Sequence, residues 1–187
     1  NAQVRDSGLF RSGCTTMIEV TYIDHMGSDL SVVNAARVSF GKESAWMPRI
    51  HSGENLVLEH NDAKLISYLA RHHHKSPFNH CFAKFHVKAP IFVARQLQKH
   101  EYMPWNEISR RYVDSEPEFY RPTTWRGRSK DKKQGSDGTV DISYKSISAL
   151  AKHEMWCMKT YRQLLDDGVA PEQARMVLPQ SMITEWY

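Results

Sequence analysis

The spacing of apolar and polar residues divides the chain into short strands and amphipathic helices. Residues 18–23 alternate between apolar and polar side chains, which is the period of a half-buried β-strand. Ser28 can cap a helix that runs to Val38, and Gly41 is a suitable stop. The polar residues 42–60 predict a loop.

The middle of the chain predicts a helix, a strand and a second helix. Asn61 or Asp62 is expected to cap the first of these helices. Alternation over residues 81–88 predicts a strand with one polar face. Pro90 fits the first position of the next helix, which we expect to reach His100, because the N–H that proline lacks would be unpaired there anyway.

The last third of the chain predicts a long basic loop and the longest helix. Residues 114–138 predict a mobile loop, which would either cover an anionic ligand or be solvated surface. Asp141 is expected to cap a helix over residues 142–166, whose apolar face predicts a core contact. That face consists of Ile147, Leu150, Ala151, Met155, Met158, Tyr161 and Leu165. A short helix is expected over residues 172–178.

The totals indicate one globular domain with mixed helices and strands. The 187 residues include 41% hydrophobic side chains and show no internal repeat. Residues 1–16 have no sustained period, so we interpret them as a leader or cloning remnant and expect the domain to cover residues 17–187. The apolar, aromatic ending predicts that the domain is truncated at Tyr187.

Cysteine usage and hydropathy favour a cytoplasmic protein. Cys14, Cys81 and Cys157 are widely spaced and odd in number, which argues against a disulfide framework or a cysteine-based zinc site. The sequence contains no run of about 18 apolar residues, so no membrane span is predicted. A net charge of +4 suits anionic small ligands as readily as nucleic acid.

The densest polar chemistry lies between Arg95 and Tyr112. Guanidinium groups match phosphate and carboxylate geometry, and the amides of Gln96 and Asn106 can read the edge of a heterocycle. Ser109 adds a hydroxyl donor. The cations of this candidate site are Arg95, Lys99, Arg110, Arg111 and the distant Arg175. The pattern favours ligand binding over isolated surface ion pairs.

Two other kinds of site are weighed against this one. Histidines are frequent between residues 72 and 100, but the carboxylate and two-histidine pattern at helical spacing is missing, so no metal site is expected. Aromatic residues alternate with arginines over residues 105–128, as in a nucleic-acid-binding module. Five acidic side chains in or just before that segment dilute its charge, so we expect no nucleic-acid partner; they are Glu101, Glu107, Asp114, Glu116 and Glu118.

Several motifs in order resemble the flavin-dependent thymidylate synthases. The main block runs from Phe85-His-Val-Lys-Ala-Pro-Ile-Phe-Val-Ala-Arg-Gln96 through Lys99-His100-Glu101 to Asn106-Glu-Ile-Ser-Arg-Arg-Tyr112. Supporting blocks are found at residues 34–40, 74–80, 118–120 and 172–179. The resemblance covers roughly residues 17–187.

The resemblance implies an α+β (α/β) fold with a central, mostly antiparallel sheet flanked by helices. It implies a homotetramer with active sites at subunit interfaces, FAD as cofactor, and reductive methylation of dUMP with 5,10-methylenetetrahydrofolate and NADPH. No cysteine nucleophile is required. The implied dUMP-binding residues are Gln96, Lys99, Glu107, Ser109, Arg110, Arg111 and Arg175. The implied FAD-binding residues are Ser39, His74, Ser76, Asn79, Lys99, His100, Glu101, Asn106 and Glu107.

The chain departs from the family pattern at three points. Lys99-His100-Glu101 stands where the family has Arg-His-Arg, and Asn79 stands in place of a Glu. The family's uracil-activating arginine would lie beyond Tyr187. The altered triplet leaves open a variant reaction, either transfer of a hydroxymethyl group or action on another pyrimidine nucleotide.

Overall fold

The computed structural model describes residues 18–48, 56–112, 116–131 and 135–187. The expected leader and the domain start at residue 17 lie outside these residues. The described chain forms two compact units. The N-terminal unit is Thr21–Phe85, and the C-terminal unit is His86–Tyr187 together with residues 18–20.

The described residues contain helices and antiparallel strands, which confirms the expected α+β fold. The strands are β1 Glu19–Met26, β2 Met47–Pro48, β3 Leu56–Val57, β4 Phe82–Pro90, β5 Trp125–Arg128, β6 Ser136–Val140 and β7 Ile183–Trp186. The helices are α1 Asp29–Arg37, α2 His60–Arg71, α3 Ile91–Leu97, α4 Tyr144–Asp166 and α5 Pro171–Ala174. The pairs β2–β3, β4–β7 and β5–β6 are all antiparallel.

Two helices of the N-terminal unit are held by a buried ion pair. Ser28 caps α1 as expected, and its backbone N–H donates to the Ser31 hydroxyl at 3.1 Å. Helix α2 begins at His60, so the expected cap at residue 61 or 62 is wrong. Asp62 is fully buried instead, because its Oδ1 accepts from the Arg37 guanidinium of α1, with Nε at 2.9 Å.

Strand β1 is present, but the prediction that one of its faces is buried is wrong. Val20 is 62% exposed and Tyr22 is 53% exposed, so neither face of the strand is covered. Tyr22 packs edge-on against Phe85, with ring centroids 5.9 Å apart. The expected loop at residues 42–60 contains the short pair β2–β3, and residues 49–55 lie outside the described part.

Strand β4 and its partner β7 carry the C-terminal unit. Their register runs from Val87 opposite Trp186 to Pro90 opposite Ile183. Pro90 is therefore the last residue of the strand and the N-cap of α3, and its assignment as the first helical residue is wrong. The Ile91 N–H donates to the carbonyl of Met182, the residue before β7, at 2.9 Å. Helix α3 therefore begins directly where β4 ends.

The basic segment folds differently from the expected loop. Strands β5 and β6 form a hairpin with a bulge between Arg126 and Gly127. A Cβ atom on Gly127 would lie 2.5 Å from the Asp137 carbonyl oxygen, so the close approach requires glycine. Residues 113–115 and 132–134 of the segment lie outside the described part.

Helix α4 has a different cap and a less buried face than expected. Ser143, rather than Asp141, caps the helix, because its hydroxyl accepts from the Ser146 N–H at 3.2 Å. Met158 and Tyr161 are buried as expected. The core assignment is wrong within this chain for the exposed residues Ile147, Leu150 and Met155. Apolar spacing marks a face, but it does not say what covers that face.

Candidate functional site

Residues 106–108 extend the sheet of the C-terminal unit along β7. Asn106 and Tyr187 exchange two backbone hydrogen bonds, at 3.3 and 3.0 Å. Glu107 forms an antiparallel bridge with Trp186. The segment therefore behaves as a short additional strand, which fixes the direction of the Glu107 side chain.

Four side chains from this segment and from β7 lie on one face of the sheet, since alternate residues of a strand point the same way. Trp105 and Trp186 stack with ring centroids 4.7 Å apart and planes at 20°. The Thr184 hydroxyl donates to Glu107 Oε1 at 2.6 Å, and the Trp105 indole N–H donates to Glu107 Oε2 at 3.0 Å. Both carboxylate oxygens of Glu107 are thus held by the protein.

The same face rests on a small apolar core. Ala89 of β4, Ala94 of α3 and Trp186 of β7 are at most 3% exposed and contact one another. The partly buried residues packed against them are Val87, Val93, Leu97 and Trp105. One core therefore supports Glu107 and the end of α3 together.

The predicted triplet at residues 99–101 follows the C-terminus of α3 and is exposed. Helix α3 ends at Leu97, three residues before the expected end, and the His100 N–H donates to the Leu97 carbonyl at 3.0 Å. Tyr102 has a φ of 62°, so the chain turns sharply after the triplet. Gln96 is exposed in the last turn of α3.

The two adjacent arginines lie in different environments. The Ser109 hydroxyl oxygen accepts from the backbone N–H and the Nε of Arg111, both at 3.3 Å. The Arg111 guanidinium also lies 5.2 Å from the Tyr112 ring centroid. Arg111 is exposed, whereas Arg110 is only 9% exposed. An anion approaching this turn from solvent therefore meets Arg111 first.

Arg175 lies on a different segment of the C-terminal unit. It opens a 3-10 turn directly after α5, and its Nε donates to the Glu172 carbonyl at 3.3 Å. Its side chain is exposed. The expected short helix over residues 172–178 is thus split into α5 and this turn.

The remaining predicted FAD residues belong to the N-terminal unit. Ser39 is exposed in the 3-10 turn after α1. Ser76 and Asn79 are exposed in the 3-10 turn Ser76–His80. His74 stacks on Tyr68, with centroids 6.1 Å apart. The predicted residues therefore form two groups, one in each unit.

A polar pair lies beside the site on the opposite face of β4. Lys88 Nζ contacts both carboxylate oxygens of Glu118, at 3.2 and 3.1 Å. This hydrogen bond raises the pKa of Lys88 above its ordinary value of 10.5. The ammonium is thus held in its charged form next to Glu118.

Sequence reasoning missed the residues that orient Glu107. Thr184 and Trp186 lie on the last strand, and nothing in their own neighbourhood of the sequence connects them to Glu107. Residues 105–108 do not alternate between apolar and polar side chains, and Pro104 precedes them, so the sequence does not predict a strand there.

A groove of about 1010 Å³ lies along α4, and none of the predicted site residues lines it. Its lining includes Glu116, Phe119, Arg121, Met155 and Lys159. Within the described part of the chain, no three His, Cys, Asp or Glu side chains are grouped so that they could hold a metal ion. None of the described helices is long and apolar enough to cross a membrane.

Comparison with known proteins gives consistent matches. The family model described as thymidylate synthase complementing protein matches residues 21–187. A flavin-dependent thymidylate synthase from Thermus thermophilus is 46% identical over 168 residues, covering 90% of this chain and 57% of the relative. One from Kosmotoga olearia is 41% identical, covering 90% of this chain and 69% of the relative.

A solved structure matches in three dimensions as well. It is a UMP/dUMP methylase from Streptomyces cacaoi bound with 5-Br dUMP, with a TM-score of 0.72 and 34% identity. The match covers 91% of this chain and 71% of that chain. The present chain spans less than two thirds of the length of the Thermus relative.

Proposed function

Because the chain belongs to the thymidylate synthase complementing protein family, we propose that the protein is a flavin-dependent thymidylate synthase. It methylates dUMP to dTMP with 5,10-methylenetetrahydrofolate as the one-carbon donor and NADPH as the reductant. The relatives named as flavin-dependent thymidylate synthases support the reaction, and the methylase bound with 5-Br dUMP supports the nucleotide.

The observation that carries the proposal is the ordered segment from Asn106 to Tyr112. It combines an amide, a fixed carboxylate, a hydroxyl and an exposed guanidinium within one strand and turn. Amide and carboxylate groups pair with the donors and acceptors of a uracil edge, and guanidinium pairs with phosphate. These groups are the ones that a pyrimidine nucleotide requires.

The nucleotide roles follow from side-chain chemistry and exposure. Arg111 and Arg175 are exposed, so we assign them to the phosphate or the carbonyls of dUMP. Lys99 contributes a further positive charge at the end of α3. The hydroxyl of Ser109 binds the nucleotide and does not act as a nucleophile. Arg110, which is only 9% exposed, is assigned to dUMP as well.

The exposed residues also fit a flavin. The isoalloxazine edge presents several acceptors and one N–H donor, and Lys99, His100 and Asn106 offer donors while Glu107 offers an acceptor. The hydroxyls of Ser39 and Ser76 suit the diphosphate, and the remaining assigned residues are His74, Asn79 and Glu101. When bound, the flavin supplies the redox chemistry, and the residues of this chain bind and orient it.

A second candidate function is methylation of a different pyrimidine nucleotide, or transfer of a hydroxymethyl group. The neighbouring solved structure is named a UMP/dUMP methylase, which favours the nucleotide variant. The triplet Lys99-His100-Glu101 replaces two forked cations by a point charge and an anion, which changes how a phosphate or ring edge is held.

We include a homotetramer in the proposal because large apolar faces stay exposed within each unit. On one face of α4, Ile147, Leu150 and Met155 are 49%, 43% and 54% exposed. On β1, Val20 and Tyr22 are more than half exposed. Exposed apolar residues that share one face of an element are typical of subunit interfaces. Light scattering on the purified protein should give four times the chain mass, and Leu150→Glu should lower that mass.

The reaction is tested with the purified full-length protein. We expect flavin absorbance, and we expect turnover of dUMP with methylenetetrahydrofolate and NADPH to a product in which a methyl group replaces one hydrogen, a net gain of CH2 in mass. The same assay with UMP, read by product mass, separates the second candidate. A colourless protein that takes up no FAD would refute both readings.

The nucleotide site is tested with two arginine variants. Arg111→Ala and Arg175→Ala should each weaken dUMP binding by a few kcal/mol, on the order of 10- to 100-fold in Kd, since each removes a charged hydrogen-bond donor. Arg162→Ala is the matched control, because this exposed arginine of α4 pairs with Glu116 on the surface. Calorimetric titration with dUMP measures all three, and unchanged affinity in both test variants would contradict the assigned roles.

A further inference from the structure

Two donors hold the two oxygens of one carboxylate at the candidate site. Thr184 donates to Glu107 Oε1 at 2.6 Å, and Trp105 donates to Oε2 at 3.0 Å. A carboxylate has about four lone-pair sites, so lone pairs remain on each oxygen for a ligand. Because both oxygens are already tied, the plane of the carboxylate and the direction of those lone pairs are fixed.

The two side-chain bonds are not needed to attach the segment to β7. The backbone already does this through the paired bonds between Asn106 and Tyr187 and through the Ile108 N–H, which donates to the Glu185 carbonyl at 2.8 Å. Glu107 lies between these bonds, opposite Trp186. The hydroxyl and the indole N–H therefore act on the orientation of the carboxylate.

The burial of Thr184 points the same way. Thr184 is 3% exposed, in a strand whose neighbouring buried residues Met182, Ile183 and Trp186 are apolar. A buried hydroxyl needs a hydrogen-bond partner, and the one the structure gives it is Glu107. Valine would match the shape of threonine and suits a strand, so packing alone does not require the hydroxyl.

We propose that Thr184 is a positioning residue that, together with Trp105, holds the Glu107 carboxylate in the orientation that binds the ligand. This rests on the proposed function, in which Glu107 binds dUMP and FAD. Thr184 itself does not touch the ligand. Its hydroxyl restricts the Glu107 carboxylate before the ligand binds, so less conformational entropy is lost on binding.

The test removes the hydroxyl without changing the shape of the side chain. Thr184→Val, Thr184→Ser and Glu107→Gln are made singly in the full-length protein, and Thr184→Val is combined with Glu107→Gln. Affinity for dUMP is measured by calorimetry and affinity for FAD by flavin fluorescence. Thermal melting of each variant reports any loss of fold, and turnover of dUMP by the unsubstituted protein is measured in the same preparation.

We expect Thr184→Val to weaken, by about tenfold, the binding of whichever ligand Glu107→Gln weakens, because a hydrogen bond to a charged group is lost. Thr184→Ser should bind within about twofold of the unsubstituted protein, since it keeps the hydroxyl. In the Glu107→Gln background, Thr184→Val should add less than about twofold, because the group it positions is already changed.

Three results would overturn the proposal. The first is equal affinity in Thr184→Val and Thr184→Ser. The second is a full effect of Thr184→Val in the Glu107→Gln background, which would place its action elsewhere. The third is unchanged binding of both ligands in Glu107→Gln. Turnover of dUMP by the unsubstituted protein shows whether the proposed function itself stands in each case.

Discussion

The buried ion pair between α1 and α2 gives the sharpest stability prediction. Arg37→Met leaves Asp62, which is fully buried, with an uncompensated charge. Among the described residues, none donates a hydrogen bond to Asp62 Oδ2, so the carboxylate depends on the arginine at Oδ1. Breaking a buried pair costs about 3–5 kcal/mol. The Arg37 side chain is 23% exposed, which favours the lower end, about 3 kcal/mol.

This loss is large enough to measure by melting. At about 2–4 °C per kcal/mol for a chain of this size, Tm should fall by roughly 6–12 °C. Arg71→Met is the matched control, because it removes an exposed arginine at the end of α2. Arg37→Met combined with Asp62→Asn should recover part of the loss, since a neutral amide is less costly to bury. If Arg37→Met melts within about 1 °C of the control, the reasoning is refuted.

Three further predictions follow from local geometry. Gly27→Ala should lower the free energy of unfolding more than Gly41→Ala. Both glycines have positive φ, but of the two only Gly27 would place a Cβ against Cys81 Sγ, at 2.7 Å. Urea unfolding measures the free energy of unfolding of both variants. The hydrogen bond to Glu118 raises the pKa of Lys88 in the folded protein, so it adds stability that is fully present below pH 10.5 and is lost at higher pH. Lys88→Met should therefore reduce the fall in Tm above pH 10.5, measured by thermal melting at several pH values. Burial raises the pKa of the Cys157 thiol, so iodoacetamide should label it slowly until the protein is denatured.

Local rules were sufficient for several elements. Ser28 caps α1, alternation marks β4, and the spacing over residues 144–166 marks α4. The cap rests on contacts within a few residues, and the periods of the strand and the helix can be read directly from the order of side chains. The family motifs around residues 85–112 likewise led to the family that the comparisons show.

Two of the wrong predictions depend on a distant partner. Pro90 fits the pattern of a helix start, yet it pairs with Ile183 and is therefore the last residue of β4. Asp62 fits the pattern of a helix cap, yet it is buried in the N-terminal unit, where it forms an ion pair with the Arg37 guanidinium. Both residues satisfy the local rule equally well in either role, so the long-range contact decides.

The sequence by itself predicted that residues 95–112 carry the polar chemistry of a ligand site, and its family motifs put Glu107 among the expected ligand-binding residues. Only the tertiary structure decided how that carboxylate is held, since the hydroxyl that fixes it lies 77 residues later in the chain. The physical reason is that side-chain type follows from the sequence, whereas orientation follows from strand pairing. The bridge between Glu107 and Trp186 puts Thr184 on the same face, and only the fold makes that bridge.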